Sequence, residues 1–373
     1  VWGTVQYLVG LRRLGCDVYY VEAHARTPTM LMRTAADDAA ALAAAFIDRV
    51  MRRFDFAGKW CFHALHADGR CYGLSEAELK TLYREAAVII NFHGGTVPRP
   101  EHAATGRLVY LETDPVELEV ELHNGAARAA EFLEPHVAFF TWGLNYGRPD
   151  CRVPLPAGFK FSISPPAVVS DLWDSLPPVT DGGLAATTFT TVGNWRQGGQ
   201  VTYRGEVYTW SKHTEFQKVL DLPRQTGQAF ELALSSYDEA DKRLLEGHGW
   251  RVRHGMGVSE ELDPYRDYVA RSRGEFTVAK DQNVRLRSGW FSERSAQYLA
   301  AGRPVVTQDT GFGSALPTGA GLFAFTTADD AAAAVDAINR DYDRHRRAAR
   351  AVAREYLAAD VVLPRLLAEC GVR

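Results

Sequence analysis

The stretch from residue 280 to residue 311 combines cationic, hydroxyl and carboxylate side chains at a spacing that suits a diphosphate-linked ligand. Its candidate binding residues are Lys280, Arg287, Ser292, Glu293, Arg294, Asp309, Thr310 and Gly311. A helix is predicted to begin at Ser292, so unpaired backbone N–H groups and the positive end of the helix dipole would attract an anion there. Lys280 and Arg287 would add positive charge beside that helix end.

One helix and one strand are needed to position these side chains. The run after Ser292 is rich in helix formers and ends at Gly302, where a left-handed C-terminal cap is expected. Residues 303–307 then predict a short buried strand, and Asp309 and Thr310 follow it in a polar turn. In an open parallel sheet such a turn faces the same crevice as the helix N-terminus, so both residues could contact a polyhydroxylated group on the diphosphate.

Each of these residues also has an ordinary structural interpretation. Ser292 could be only a helix cap, and Asp309 only a turn residue. Lys280 and Arg287 could lie on a solvated loop. The combination of all four features favours a binding site.

A second loop with the same character follows a predicted β-branched strand at residues 185–192. It contains Gly193, Asn194, Trp195 and Arg196. Gly193 would permit close approach of a ligand to the backbone, and Arg196 could supply charge. A glycine-rich surface loop without a ligand is the alternative.

Two residues in the first part of the chain are candidates for catalysis. His93 follows a predicted strand at residues 87–92, and Asp114 follows another at residues 107–111. An imidazole or a carboxylate at the carboxyl end of a parallel strand can act as a general base. The alternatives are that His93 belongs to an ordinary glycine turn and that Asp114 caps a helix predicted at residues 115–122.

Residues 285–311 resemble the donor-binding segment of GT-B glycosyltransferases. In that family a glycine-containing loop, a helix ending in Ala-x-Gly-x-Pro-Val-Val and a following Asp bind a nucleotide sugar, and residues 298–306 carry the close match. Residues 14–22 are similar to the first helix-to-strand crossover of many such proteins. The two acidic positions of the group-1 Glu-x7-Glu pattern fall on Gly289 and Gln297.

The resemblance implies an α/β fold of the GT-B type, with two Rossmann-like α/β/α domains facing each other across a cleft. The boundaries predicted are 1–170 for an acceptor-binding domain, 183–345 for a nucleotide-sugar-binding domain and 346–373 for a helix that returns toward the first domain. Prolines within residues 160–178 predict the link between the domains. We also expect a strand and its loop to precede Val1, and that loop could carry the catalytic base.

The reaction implied is glycosyl transfer from a nucleotide-diphosphate sugar to a hydroxyl group of a small-molecule, lipid or glycan acceptor. Helix amides and cations would stabilise the leaving diphosphate, so we expect neither a metal nor a cofactor. A composition rich in Ala and Arg is typical of a high-GC bacterium, which suggests natural-product or cell-envelope glycosylation. A nucleotide-sugar epimerase of GT-B fold and a catalytically inactive GT-B partner protein are the alternatives.

Length and composition limit the remaining possibilities. A chain of 373 residues suits two domains, and a net charge of -4 argues against nucleic acid as the main partner. The five cysteines are scattered without metal-ligand spacing, so we expect reduced thiols in the cytoplasm. No signal peptide is visible, and no apolar run approaches the roughly 18 to 20 residues that cross a bilayer.

Overall fold

The computed structural model describes residues 1–23, 27–174 and 187–372. We call the described residues up to 174 the first half and those from 187 the second half. The last part of the predicted link at 160–178, the predicted boundary at 183 and the first two residues of the strand predicted at 185–192 fall outside these ranges. The domain boundaries therefore stay predictions. None of the described helices has the length and hydropathy needed to cross a membrane.

The first half contains two β-sheets. Its strands are β1 (Tyr20–Ala23), β2 (Trp60–His63), β3 (Cys71–Gly73), β4 (Ile89–Phe92), β5 (Leu108–Glu112), β6 (Ala138–Thr141) and β7 (Phe161–Ile163). The smaller sheet has the order β1-β2-β3, with only β3 antiparallel. The larger sheet is parallel throughout, in the order β4-β5-β6-β7. The carboxyl ends of β4, β5 and β6 therefore lie side by side.

Helices cover the sheets of the first half. They are α1 (Trp2–Arg13), α2 (Ala39–Arg53), α3 (Glu76–Glu85), α4 (Pro100–Ala103), α5 (Glu117–His123), α6 (Ala127–Leu133) and α7 (Asp171–Asp174). The helix predicted at residues 115–122 thus begins at Glu117. Asp114 does not cap it, because the backbone N–H of Val116 donates to Glu119 Oε2 at 2.9 Å instead. The interpretation of Asp114 as a helix cap is wrong.

The second half contains one large parallel sheet and one hairpin. Its strands are β8 (Thr188–Asn194), β9 (Gln200–Tyr203), β10 (Glu206–Thr209), β11 (Ala229–Ser235), β12 (Arg251–His254), β13 (Gly274–Thr277), β14 (Val305–Gln308) and β15 (Leu322–Phe325). The six-stranded sheet has the order β12-β11-β8-β13-β14-β15, and β9 pairs with β10 in the antiparallel hairpin. The strand predicted at 303–307 is confirmed as β14, which begins two residues later and ends one residue later.

The helices of the second half alternate with these strands and continue beyond β15. They are α8 (His213–Gln217), α9 (Leu222–Thr226), α10 (Glu239–Gly247), α11 (Met256–Ser259), α12 (Leu262–Arg271), α13 (Asp281–Arg285), α14 (Glu293–Ala300), α15 (Ala328–Arg340), α16 (Tyr342–Val352) and α17 (Ala359–Glu369). The predicted helix after Ser292 is therefore confirmed as α14, and Gly302 has the expected positive φ of 67°.

The strand order of the second half defines where a ligand can bind. From β8 the chain adds β11 and β12 on one side of the sheet, and then returns to add β13, β14 and β15 on the other. The order reverses between β8 and β13, which leaves a crevice outside their carboxyl ends. The predicted residues 193–196, Lys280 and 309–311 end or follow β8, β13 and β14. The sheet thus brings three separate parts of the sequence to one edge.

The two halves pack against each other through helix α17. It returns to the first half and packs on α1, and residues of both helices belong to one hydrophobic core. The approach is close, because a Cβ atom on Gly10 would lie 2.6 Å from Leu363 Cδ1. The predicted boundary at 346 stays a prediction, and the structure shows α17 packed on the first helix of the chain.

The β9-β10 hairpin makes a second connection between the halves. It contributes to a separate apolar cluster, here called the hairpin cluster, whose members are Val116, Val120, Tyr146 and Val153 of the first half and Val201, Tyr203, Tyr208 and Leu286 of the second. All eight are buried. The hairpin therefore covers one side of the junction between the two sheets.

Candidate active site

The carboxyl edges of the two parallel sheets face each other. In the first half this edge carries His93, Thr113 and Asp114. In the second half it carries Lys280 and the loop that leads to α14. Two contacts join the edges: Lys280 Nζ pairs with the Asp114 carboxylate, and Trp290 Nε1 donates to the Thr113 carbonyl oxygen at 3.0 Å. The structure thus brings a predicted catalytic residue and a predicted binding residue into direct contact.

Lys280 lies at the start of α13 with only 8% of its side chain exposed. Its ammonium group is 4.0 Å from the centroid of the Trp210 ring, so it gains a cation–π contact in addition to the Asp114 carboxylate. Burial lowers the pKa of Lys280, and Asp114 offsets part of that effect. Burial likewise raises the pKa of Asp114, which Lys280 opposes. Lys280 is therefore a buried cation at the switch point, and not a residue of a solvated loop.

Lys212 is a functional candidate that the sequence analysis did not identify. It immediately precedes α8, is 7% exposed, and places its ammonium group 5.3 Å from the centroid of the Trp290 ring. Burial lowers its pKa well below the usual range, the charges of Arg294 and Lys280 lower it further, and the carboxylates of Glu275 and Asp114 oppose this effect. In the described part of the chain, no carboxylate forms an ion pair with Lys212. An anion in this crevice would supply that missing negative charge.

Arg287 and the turn after β14 form a junction with the first half. Arg287 Nε donates to Asp150 at 2.8 Å, and its Nη1 donates to Asp309 at 3.1 Å. Thr310 is fully buried, and its hydroxyl donates to the Trp290 carbonyl oxygen at 2.8 Å. The predicted residues Arg287, Asp309 and Thr310 thus already have partners within the protein.

The glycines of this junction permit a close approach of the first half. A Cβ atom on Gly289 would lie 2.0 Å from the backbone nitrogen of Asn145, and one on Gly311 would lie 2.6 Å from Asn145 Nδ2. Both glycines have positive φ, 81° and 95° respectively. Asn145 Nδ2 also donates to the Arg287 carbonyl oxygen at 2.9 Å. Gly311, predicted to contact the donor, therefore packs against the first half.

Two further predicted arginines have protein partners. Arg294 is buried against Glu275, with which it forms an ion pair, and its Nη1 donates to the Val192 carbonyl oxygen at 2.6 Å. Arg196 makes a two-pronged ion pair with Asp241, at 2.9 and 2.6 Å. Arg294 thus joins α14 to the sheet, and Arg196 joins the loop after β8 to α10. The Arg294 side chain is only 12% exposed, whereas that of Arg196 is 50% exposed beside its ion pair.

The predicted donor-binding residues at the end of β8 and in the loop after it differ in their exposure. Trp195 is fully buried, 5.5 Å from the ring of Phe216, and so belongs to the core. Asn194 is exposed. A Cβ atom on Gly193 would meet no other atom within 4 Å, so open space lies above this glycine at the carboxyl end of β8. Gly193 and Asn194 therefore remain compatible with the predicted contact to a donor.

The first turn of α14 is partly occupied by its own cap. Ser292 Oγ accepts a hydrogen bond from the Arg294 backbone N–H at 3.2 Å, which is the capping role described as the alternative. Glu293 lines a cavity of about 130 Å³ between α1, α12 and α14, together with Tyr265 and Gln297. Gln297 replaces the second acid of the Glu-x7-Glu pattern, and its Oε1 accepts from the Tyr265 hydroxyl at 2.7 Å.

His93 stands at the opposite edge in an unusual backbone conformation. Its φ is +63°, and its Nδ1 lies 2.5 Å from the Thr113 hydroxyl. The residue is exposed, but the centroid of the Phe92 ring lies 3.7 Å from that of the imidazole, and desolvation lowers the pKa of His93 to about 4. The carboxylate of Glu293 opposes this effect. A neutral imidazole at this position can accept a proton at neutral pH.

A pair of buried carboxyl groups lies beneath the same edge. Glu112 and Glu119 are 1% and 0% exposed, and the Thr141 hydroxyl donates to Glu112 Oε2 at 2.5 Å. Burial raises the pKa of both residues, and for Glu112 the neighbouring charge of Glu119 adds to the effect. Like charges in contact favour one shared proton. The pair supports the turn that carries Asp114.

Comparison with solved structures identifies the fold. An alpha-glucosyltransferase in complex with UDP and a 13-mer DNA with a central A:G mismatch superposes with a TM-score of 0.57 at 10% identity, over 99% of this chain and 95% of that one. HepE of Anabaena, in complex with UDP and glucose, gives 0.54 at 10% identity, over 95% and 100%. No protein-family model and no curated sequence matches the chain. The predicted GT-B fold is therefore confirmed by structure alone.

Proposed function

We propose that this protein is a glycosyltransferase that moves a sugar from a nucleoside-diphosphate donor to a hydroxyl group of an acceptor. The observation that carries the proposal is the pair of buried lysines, Lys212 and Lys280, at the switch point of the second sheet. Lys280 contacts Asp114 at the edge of the first sheet, and the same edge carries His93. Cations on one side can stabilise a leaving diphosphate, and proton acceptors on the other can take the proton of an acceptor hydroxyl.

The lysines supply the donor side of the reaction. Both lie where burial opposes a positive charge, so a diphosphate that pairs with them would relieve an unfavourable interaction already present in the protein. When the bond between the sugar and the diphosphate breaks, negative charge grows on the leaving oxygen. Lys212 and Lys280 would stabilise that charge. The open space above Gly193 gives the phosphates access to the end of β8.

The first half supplies the acceptor side. In the proposed reaction the acceptor oxygen forms a bond to the sugar carbon that loses the diphosphate, and the hydroxyl proton passes to a base. His93, neutral at pH 7, and Asp114 are the groups at this edge that can accept the proton. We further propose a small-molecule, lipid or glycan acceptor, no need for a metal or another cofactor, and a cytoplasmic location.

Binding and turnover with one matched control test this proposal. We expect thermal stabilisation by one of UDP, ADP, GDP or dTDP, because a selective ligand shifts the unfolding equilibrium by mass action. Lys212→Met should abolish most of that shift, whereas Lys242→Met should not. Lys242 is the control because it lies on α10, where its ammonium group is 3.9 Å from Glu246, one helical turn away. A wild-type protein that binds none of the four would contradict the proposal.

Product analysis separates the two other hypotheses. Incubation with the matching nucleotide sugar, with and without acceptor hydroxyl compounds, should release the nucleoside diphosphate only if sugar is transferred or hydrolysed. A changed sugar still attached to its nucleotide would indicate an epimerase of GT-B fold. Binding of nucleotide without any turnover would favour a catalytically inactive partner protein.

A further inference from the structure

The proposed function assigns Lys280 to the donor diphosphate, but in this structure Lys280 is paired with the Asp114 carboxylate. Two neighbouring hydrogen bonds hold Asp114 in this position. Trp290 Nε1 donates to the Thr113 carbonyl oxygen at 3.0 Å, and Gln282 Nε2 donates to the Pro115 carbonyl oxygen at 3.3 Å. Three consecutive residues of the first half, 113 to 115, are therefore bound to the second half. We call residues 113–116 the β5-α5 turn.

Only one of the two carboxylate oxygens of Asp114 has a hydrogen-bond partner among the described residues. Oδ2 of Asp114 binds Lys280, but within the described residues nothing hydrogen-bonds the buried Oδ1. A buried acceptor without a donor lowers the stability of the arrangement. A diphosphate offers Lys280 more negative charge than one carboxylate, and it can contact Lys212 as well. A diphosphate could therefore replace the Asp114 carboxylate as the anion that pairs with Lys280.

The backbone of the β5-α5 turn is strained in this state. Val116 has a φ of +101° with a β-branched side chain, a conformation that such residues rarely adopt. Contacts from both halves keep it there: its N–H donates to Glu119, and its fully buried side chain packs in the hairpin cluster. Release of the turn from the second half would allow this strain to relax.

From these observations we infer that the Asp114–Lys280 ion pair is a latch, which occupies the anion site before the donor binds and which the donor diphosphate opens by displacing the Asp114 carboxylate. The inference rests on the proposed function and deepens it. No covalent bond changes in this step. Displacement frees the Asp114 carboxylate on the acceptor side, beside Thr113 and His93. The donor must then bind before Asp114 can act on an acceptor hydroxyl, so binding is ordered.

Titration calorimetry with UDP, ADP, GDP, dTDP and inorganic pyrophosphate tests the latch. Asp114→Asn keeps the shape of the side chain and removes its charge, so Lys280 no longer holds a competing anion. We expect the variant to bind the preferred diphosphate about tenfold more tightly than the wild type, the size of one charge-assisted hydrogen bond. If Asp114→Asn fails to fold, Asp114→Ser should likewise bind the preferred diphosphate more tightly than the wild type.

Two further variants separate displacement from a general electrostatic effect. Glu117→Gln removes a carboxylate whose charge acts on Lys280 without direct contact. The affinity of this variant for the nucleoside diphosphate should therefore differ from that of the wild type by less than about threefold. In a Lys280→Gln background, Asp114→Asn should bring no gain, because the effect of each residue depends on the other.

Each result has one meaning. If the wild type binds a nucleoside diphosphate and Asp114→Asn binds it equally or more weakly, the latch is wrong and the proposed function stands. A similar gain from Glu117→Gln would also overturn the latch, since charge alone would explain both. If neither the wild type nor Asp114→Asn binds any of the five compounds, both the latch and the proposed function fail.

Discussion

The two sheet edges that face each other in this protein have the same architecture but different side chains: one carries proton acceptors and the other carries cations. Each is formed by the carboxyl ends of neighbouring parallel strands. The first edge holds proton acceptors, among them His93, whose pKa desolvation lowers to about 4. The second holds lysines whose charge burial opposes, with Lys212 the strongest case. The fold therefore fixes where a ligand binds, and the side chains decide which edge accepts a proton and which attracts an anion.

Replacing His93 should have the largest effect and act on the first edge alone. If His93 is the base, His93→Ala should lower kcat by about 100-fold to 10,000-fold, the usual contribution of a general base, and leave the Kd for the nucleoside diphosphate unchanged. Steady-state kinetics and calorimetry measure the two quantities. His123→Ala, on the exposed side of α5, serves as the control. Unchanged turnover in His93→Ala would remove this residue from the mechanism.

Replacing Lys212 should act on the second edge and mainly on binding. Lys212→Met is expected to weaken nucleoside-diphosphate binding by about 10-fold to 100-fold, because one charge-assisted hydrogen bond is lost. Its thermal midpoint should stay the same or rise, since an apolar side chain replaces a buried charge without a carboxylate partner. Calorimetry and thermal unfolding check both statements. Unaltered affinity would exclude Lys212 from the phosphate site.

The buried acid pair predicts how stability depends on pH at the first edge. A carboxyl group whose pKa is raised by folding stabilises the protein below its unfolded pKa, and this contribution is lost as pH rises toward the folded value. The wild type should therefore lose up to about 1.4 kcal/mol per pH unit relative to Glu119→Gln, which needs no shared proton. Urea unfolding between about pH 5 and 8 measures the slope. Parallel curves would contradict a shared proton between Glu112 and Glu119.

Two substitutions on the second edge should have the smallest effects on ligand binding. Arg287→Ala removes partly exposed ion pairs to Asp150 and Asp309, and Ser292→Ala removes a helix cap. Each should cost about 1 kcal/mol of unfolding free energy and change diphosphate affinity by less than about threefold. Urea unfolding and calorimetry test this. An affinity loss near that of Lys212→Met would return these residues to the phosphate site, as the sequence analysis first predicted.

Most of the fold could be predicted from sequence, because its signals are local. The alternation of buried strands and helices, the cap at Ser292 and the glycine at 302 each depend on a few neighbouring residues. The β9-β10 hairpin was missed although it has a local signal. Arg204 and Gly205 both have positive φ, 51° and 79°, as a two-residue turn between alternating side chains requires.

The site was harder to predict, because its composition depends on residues far apart in sequence. Arg196, Arg287 and Arg294 had the right type and position for phosphate binding. Their partners Asp241, Asp150 and Glu275 could be recognised only after folding brought them together. Lys212 was missed for the converse reason, since nothing in its sequence neighbours reveals that it is buried beside Trp290.

The β9-β10 hairpin limits how this protein can be recombined with others of the same fold. It belongs to the second half, yet its apolar residues pack on Val116, Val120 and Tyr146 of the first. Trp210, which contacts Lys280, follows β10 directly. A chimera that joins this second half to a foreign first half would expose that apolar surface and loosen the ring beside the lysine. Such a hybrid needs all four first-half members of the hairpin cluster, including Val153, transplanted with it.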